Sequence, residues 1–271
     1  MENIERDKFA EPIADLIGHL ERMNLGNWAL TAGGSTSKGT SDHLSDLDLR
    51  LYHETPLPWP SVTDPVWREY VQAEDSWRLR GYMIDPISPR PFKDVEAELD
   101  RLIAGEMLRP DMVWTLWGYR LLPDIANQVA FYDNTGTIAR WKDKIAVFPA
   151  KLKRAILDHH LGSIEYWRTD YHYRNKVERG DAVFLAGLSS KLTHSLLEIL
   201  FAVNEVYFPG DGNNLKLAST FQIAPADFVS RVESALYPSA GEDKFTRQYR
   251  TLMELINDVA PTAKTHLQLL D

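Results

Sequence analysis

Gly33-Gly34-Ser35-Thr36-Ser37-Lys38-Gly39 and, after a short gap, Ser45-Asp46-Leu47-Asp48-Leu49-Arg50-Leu51-Tyr52 are the stretches on which the reading of this chain turns. The first follows a short apolar strand, Trp28-Ala-Leu-Thr-Ala32. A strand that ends in Gly-Gly-Ser lets the backbone turn sharply. It exposes amides and a hydroxyl that can cradle phosphate oxygens, above all where a helix starts. The second stretch alternates with period two from Asp46 onward, so it reads as a half-buried strand with Asp46 and Asp48 on one face. Two adjacent carboxylates repel each other unless a cation intervenes, and hard oxygen ligands suit magnesium.

A third acid extends the pattern. Residues 77–86 read as a strand that places Asp85 in an apolar context, where an isolated carboxylate is costly. Beside the Asp46/Asp48 strand it gains metal partners. Three carboxylates on neighbouring strands, facing a Gly-Ser loop, make a two-metal phosphoryl-transfer site. Glu74 and Asp75 are alternative acids, expected in a solvent-exposed turn.

Outward from this centre, apolar spacings of three and four predict a helix over 5–23, a short one over 64–73 and another from 91 to about 106. Pro56, Pro58 and Pro60 mark a loop. Residues 111–133 mix short apolar runs and take no assignment. Helices are then expected near 134–144, 149–172, 181–207, 225–236 and 243–268, punctuated by Pro149, Pro209, Pro225, Pro238 and Pro261. Strands crowd the first half and helices fill the second. The expected fold class is therefore an α/β mixed-sheet domain over 1–145 followed by an all-α helical bundle over 146–271.

The 271 residues are 44% hydrophobic and 25% charged, which excludes a disordered tail, a collagen-like fibre and a disulfide-stapled miniprotein. The chain has no cysteine, which excludes thiol catalysis, Cys-zinc sites and iron–sulfur clusters and fits a reducing cytosol. Thirty basic against 39 acidic residues give −9, a balance that disfavours a nucleic-acid partner and suits a cationic small molecule or a metal–nucleotide complex. The charged start MENIERDKFAEP lacks the apolar core of a signal peptide, and no run approaches the ~18 apolar residues of a membrane span. A cytoplasmic protein without a membrane partner is expected.

The pattern Gly34-Ser35, a gap, Ser45-Asp46-Leu47-Asp48, then a later acid resembles the DNA polymerase β-like nucleotidyltransferases. Members share a Gly-Ser loop, an Asp-x-Asp strand and a third Asp or Glu, and bind a nucleoside triphosphate with magnesium. The Ser45 before the first Asp looks like the antibiotic-modifying branch, in which the loop and this serine hold the triphosphate. Arg179-Gly-Asp181, then a long apolar helix running to Asn204-Glu-Val-Tyr207-Phe-Pro209, with Lys216 beyond, looks like the helical substrate domain of lincosamide and aminoglycoside nucleotidyltransferases.

The resemblance implies transfer of a nucleoside monophosphate, AMP from ATP in many members, to a hydroxyl of a small molecule with release of pyrophosphate. It implies Asp46, Asp48 and Asp85 as metal ligands for two Mg2+ ions, and Gly34, Ser35 and Ser45 as triphosphate contacts. Lys38, Lys191 and Lys216 are candidates to neutralise the triphosphate, and Glu178 and Asp181 to meet a cationic acceptor. Asp181 is equally a helix cap. Alternative readings keep the chemistry on a tRNA end or protein side chain, or leave a non-catalytic nucleotide sensor.

Other features have plainer readings. His159 and His160 point about 100° apart on a helix and make poor joint metal ligands. Trp114 and Trp117 fit core packing. Asp211-Gly-Asn-Asn214 lacks the distant Glu of a calcium loop and reads as a turn. The aromatic run Tyr166–Tyr173 fits a cleft wall or a half-buried helix.

Overall fold

The computed structural model describes residues 9–39, 41–43, 45–55, 65–85, 87–106, 120–210, 212 and 214–271. The Pro56–Pro60 loop, Trp114, Trp117 and, from the Asp211 turn, Asp211 and Asn213 lie outside them. The chain forms two compact units, residues 1–100 with 121–146 and residues 101–120 with 147–271. The first is built on a mixed sheet and the second is a helical bundle.

In the first unit the described strands are β1 (Trp28–Ala32), β2 (Leu49–His53), β3 (Ser88–Pro91) and β4 (Val129–Asp133), in the order β3-β2-β1-β4. β1 is buried at all five positions, as suits a central strand, and its one polar side chain, Thr31, donates to Gln128 Oε1 at 2.7 Å. It pairs antiparallel with β2, Trp28 opposite His53 and Ala32 opposite Leu49, and antiparallel with β4. β2 pairs parallel with β3. Helices α1 (Ala10–Glu21), α2 (Gly34–Lys38), α3 (Pro65–Leu79), α4 (Phe92–Ile103), α5 (Leu121–Asn127) and α6 (Thr137–Lys144) complete the unit. Leu16, Leu20, Leu30, Leu47, Leu49, Leu51 and Trp77 centre its core.

One expectation for this unit is corrected, and two stretches without an assignment gain elements. The strand read over 77–86 begins instead as the last turn of α3. Trp77-Arg-Leu-Arg80 mimics strand alternation, but Trp77 is 1% exposed while Leu79 is 90% exposed, which period two does not allow. Ala73 and Trp77, four apart, are the inward pair of a helix. Among the described residues, what remains of the strand is one parallel bridge, Leu47 to Ile84. The parallel partner of β2 is β3, Ser-Pro-Arg-Pro, which its prolines hid; an outer strand tolerates them because one row of its amides needs no ladder partner. The unassigned region supplies α5 and the outer strand β4, whose edge position leaves every residue only half-buried.

The bundle comprises α7 (Ala150–Thr169), α8 (Tyr171–Arg179), α9 (Ala182–Val203), α10 (Asn214–Ala218), α11 (Phe228–Leu236) and α12 (Lys244–Gln268). α9 is its centre, buried without interruption from Leu192 to Val203. It is the one described helix long and apolar enough to cross a membrane by length and composition, and 61% of its apolar window is buried inside the protein. Leu185, Leu192 and Leu196 of α9 join a core with Leu157 and Ile164 of α7, Val232 of α11 and Leu252, Leu255 and Ile256 of α12.

The helix expected over 149–172 stops at Thr169. Asp170 is extended (φ −72°, ψ 120°), and its side chain accepts from the His172 amide at 2.6 Å, which starts α8 as a separate helix. The helix expected over 243–268 is α12, with Pro261 inside it.

Candidate functional site

The strand β1 delivers the chain into Gly33, whose amide donates to the carbonyl of Asp48 at 2.8 Å. That bond carries the β1–β2 pairing one step past Ala32 and Leu49 and ties the glycine turn to the Asp-x-Asp segment. Leu47, 0% exposed, points into the core, so its neighbours Asp46 and Asp48 point the other way. The Leu47 amide donates to the Met83 carbonyl at 2.8 Å, and the Asp85 amide donates to the Leu47 carbonyl at 3.1 Å. Asp85 therefore sits beside the pair through one turn of parallel bridging.

Carboxylate oxygens of Asp46, Asp48 and Asp85 lie within 4.8 Å of one another. Asp46 and Asp48 are half-buried, and Asp85 is open to solvent on its outer side. Partial burial, a hydrogen bond with Asp46 and the charges of Asp46 and Asp48 push the Asp85 carboxyl up to about 6, against the pull of Arg50. Three acids this close, all oxygen donors, form a ligand set that fits a hard divalent cation such as Mg2+.

The glycines are required by what stands behind them. Gly34 opens the five-residue helix α2 with φ +59°, and a Cβ there would lie 1.6 Å from Asp48 Oδ2. A Cβ on Gly33 would lie 2.6 Å from Asp124 Oδ1 and 3.2 Å from an Arg50 nitrogen. The turn is thus pressed against the acids, and Ser35 follows within it. Thr36 Oγ1 donates to the Asp46 carbonyl at 3.4 Å and Ser37 Oγ to the Gly34 carbonyl at 3.0 Å.

Two further residues belong to the site. Arg50 on β2 has its Nε 3.4 Å from Asp124 and a terminal nitrogen 3.6 Å from Asp48. Asp124, 8% exposed, stands on α5. Arg50 thus sets a cation against Asp48, and Asp124 anchors it. The signal for Asp124 was the one that marked Asp85: a lone acid in an apolar run, Leu121-Leu-Pro-Asp-Ile125. Glu74 is corrected too. It is not in an exposed turn but 6% exposed on α3, with Arg78 at 2.8 Å; burial raises its pKa, and Asp85 adds to the rise. Asp75 remains exposed.

The other expected contacts are scattered. Lys38 is half-buried at the end of α2. Ser45 Oγ donates to Asp42 Oδ1 at 3.1 Å and accepts from the Asp42 amide, a local turn. Lys191, Lys216, Glu178 and Asp181 belong to the second unit. Lys191 is exposed on α9 with its Nζ 6.0 Å from the Trp167 ring centre, and Lys216 is exposed on α10. Glu178 is exposed near the end of α8. Asp181 caps α9 by accepting from the Phe184 amide at 3.4 Å and pairs with Lys176 at 2.6 Å, which holds its carboxyl below the usual range.

A family model described as a domain of unknown function (DUF4037) matches residues 114–212. No curated protein matches the chain. Among solved structures, the chain is similar to a nucleotidyltransferase-like protein from Exiguobacterium sibiricum 255-15, with a TM-score of 0.49 and 9% identity, over 95% of this chain and 76% of that one.

Proposed function

We propose that this chain is a magnesium-dependent nucleotidyltransferase that moves a nucleoside monophosphate, AMP from ATP, onto a hydroxyl of a small molecule. The observation that carries the reading is the gathering of Asp46, Asp48 and Asp85 within 4.8 Å at a turn whose Gly34 has no room for a side chain. Asp46, Asp48 and Asp85 would hold Mg2+, with two ions expected. Bound there, the metal would neutralise phosphate charge and lower the pKa of an acceptor hydroxyl.

In the transfer, the acceptor oxygen attacks the α-phosphorus. The bond from that phosphorus to the oxygen bridging to the β-phosphate breaks, and pyrophosphate leaves with the electron pair. The acceptor proton goes to a nearby base. Asp85 is the acid suited to take it, since of the three it is the one exposed to solvent. The turn at Gly34 and Ser35, with Ser45 and Lys38, would hold the triphosphate. Arg50, fixed by Asp124, keeps Asp48 oriented.

A cationic acceptor such as an aminoglycoside, or a lincosamide, fits the acidic balance of the chain. Glu178 is the open acid of the proposed acceptor pair, while Asp181 is already engaged by Lys176. The test is incubation with labelled nucleoside triphosphates, Mg2+ and a panel of antibiotics, followed by mass spectrometry of the acceptors. Label on an acceptor, lost in Asp46→Asn, supports the reading. Binding of nucleotide without turnover on any acceptor would turn it to a nucleotide sensor.

A further inference from the structure

Within the second unit, three donor groups meet in the interior. His194 and Glu198 stand four residues apart on α9 and so share a face. His160 approaches from α7. One ligand atom from each lies within 4.8 Å of the other two. Their exposures are 5% for His160, 9% for His194 and 5% for Glu198.

Side chains this deep are normally hydrogen-bonded. His160 is, through Nδ1 to Ser195 Oγ at 3.2 Å. His194 is not: its Nδ1 has no partner among the described residues, and its Nε2 lies 3.5 Å from Glu198 Oε1. That separation is long for a hydrogen bond. It is close to the edge of a tetrahedron with metal–ligand bonds of about 2.0–2.1 Å, where neighbouring donor atoms are about 3.3 Å apart. Arg120 lies 3.4 Å from Glu198, the His159 ring centre 4.8 Å from that of His160, and the Phe208 ring centre 5.4 Å from that of His194.

We propose that His160, His194 and Glu198 form a binding site for a zinc-class transition-metal ion that ties α7 to α9. Two imidazoles and one carboxylate favour Zn2+ or a neighbouring first-row ion over Mg2+, which prefers oxygen. Ser195 plays the outer part: if His160 Nδ1–H donates to its hydroxyl, Nε2 is left bare and the ring is fixed. Arg120 is the competitor. Its guanidinium faces Glu198 in the metal-free protein, and with its side chain 25% exposed it has a path to solvent when a metal takes the carboxylate.

The proposal does not rest on nucleotidyl transfer, and neither does its test. The full chain carrying Asp46→Asn and Asp48→Asn, stripped with chelator, is titrated with Co2+ and with Zn2+. We expect visible d–d absorption from nitrogen-ligated Co2+, displaced by Zn2+, and a rise in melting temperature with Zn2+. Arg120→Met leaves every ligand in place and should tighten Co2+ binding roughly tenfold, whereas His194→Gln should weaken it by at least roughly tenfold. No visible band at millimolar Co2+, a band unaltered by His194→Gln, or weaker binding in Arg120→Met overturns the proposal. The titration and Arg120→Met decide it even where His194→Gln does not fold.

Discussion

Gly34 and Asp48 are in direct apposition: the Cβ that any other residue would place at 34 falls 1.6 Å from a carboxylate oxygen of Asp48, at a backbone φ of +59°. Space and conformation demand glycine together. Gly34→Ala should therefore displace Asp48. The expected outcome is a loss of transfer of about 100-fold or more, since misplacement by an ångström costs that much, and weaker divalent-cation binding by calorimetry. An alanine variant with unchanged Mg2+ binding would show that Asp48 does not depend on this contact.

Asp46→Asn and Asp48→Asn should abolish transfer and keep the fold. In chelator, three crowded carboxylates repel, so removing one charge should leave the melting temperature equal or higher. Added Mg2+ should then stabilise the wild type and not the variants. Scanning calorimetry with and without Mg2+ reads both effects, and a large drop in chelator would mean the acids are structural partners instead.

Asp124→Asn should cost about 2 kcal/mol in denaturant unfolding, because Arg50 and Asp124 are both largely buried, 16% and 8% exposed by side chain, and removing one partner strands the other. Arg50 would turn fully onto Asp48, so Mg2+ affinity should fall with it. Unaltered Mg2+ binding in a folded Asp124→Asn protein would leave Asp124 with a purely structural part.

Glu165 on α7 bonds Lys264 of α12 at 2.7 Å and Arg168 at 2.5 Å, and its carboxyl is held below the usual range, first by Lys264. A depressed folded pKa means the unfolded chain takes up the proton first as pH falls. The stabilisation is present above about 4.5 and lost as pH drops through the folded value. Glu165→Gln should lower stability by about 1 kcal/mol at pH 7, a figure moderated by solvent, and flatten the acid limb of the stability curve. Parallel curves for the two proteins would rule this out.

Asp181→Ala separates cap from contact. With its oxygens shared between the Phe184 amide and Lys176, the substitution should lower the melting temperature by about 2–4 °C. It should leave the Michaelis constants for nucleotide and acceptor alone. A selective rise in the acceptor constant would place Asp181 at the acceptor after all.

The fold class and most helices were legible because their signals are local. Trp28–Ala32 is apolar at all but Thr31, and the bundle helices carry clean three-and-four spacing. The pair Asp46 and Asp48 is legible for the same reason, since period two alone puts both on one face. What the sequence hid depends on distant partners. Leu79 looks like a strand residue until the surface beside it is known to be water. Ser88–Pro91 looks like a loop until β2 lies alongside. Asp124 is 76 residues from Asp48 in the chain, and no local pattern joins them. Likewise His160, His194 and Glu198 are unremarkable until α7 and α9 are side by side.

The bridge between Leu47 and Ile84 has a consequence for how this chain can change length. Which way Asp85 points is a matter of parity. One residue inserted between Ile84 and Asp85 would turn the acid away from Asp46, whereas two would restore its side but lift it from the Leu47 carbonyl. The turn at Gly81, with φ +89° and no atom where a Cβ would stand, is under no such constraint and can absorb extra residues. Related chains should therefore differ in length before Met83 and keep the count from Met83 to Asp85 unchanged.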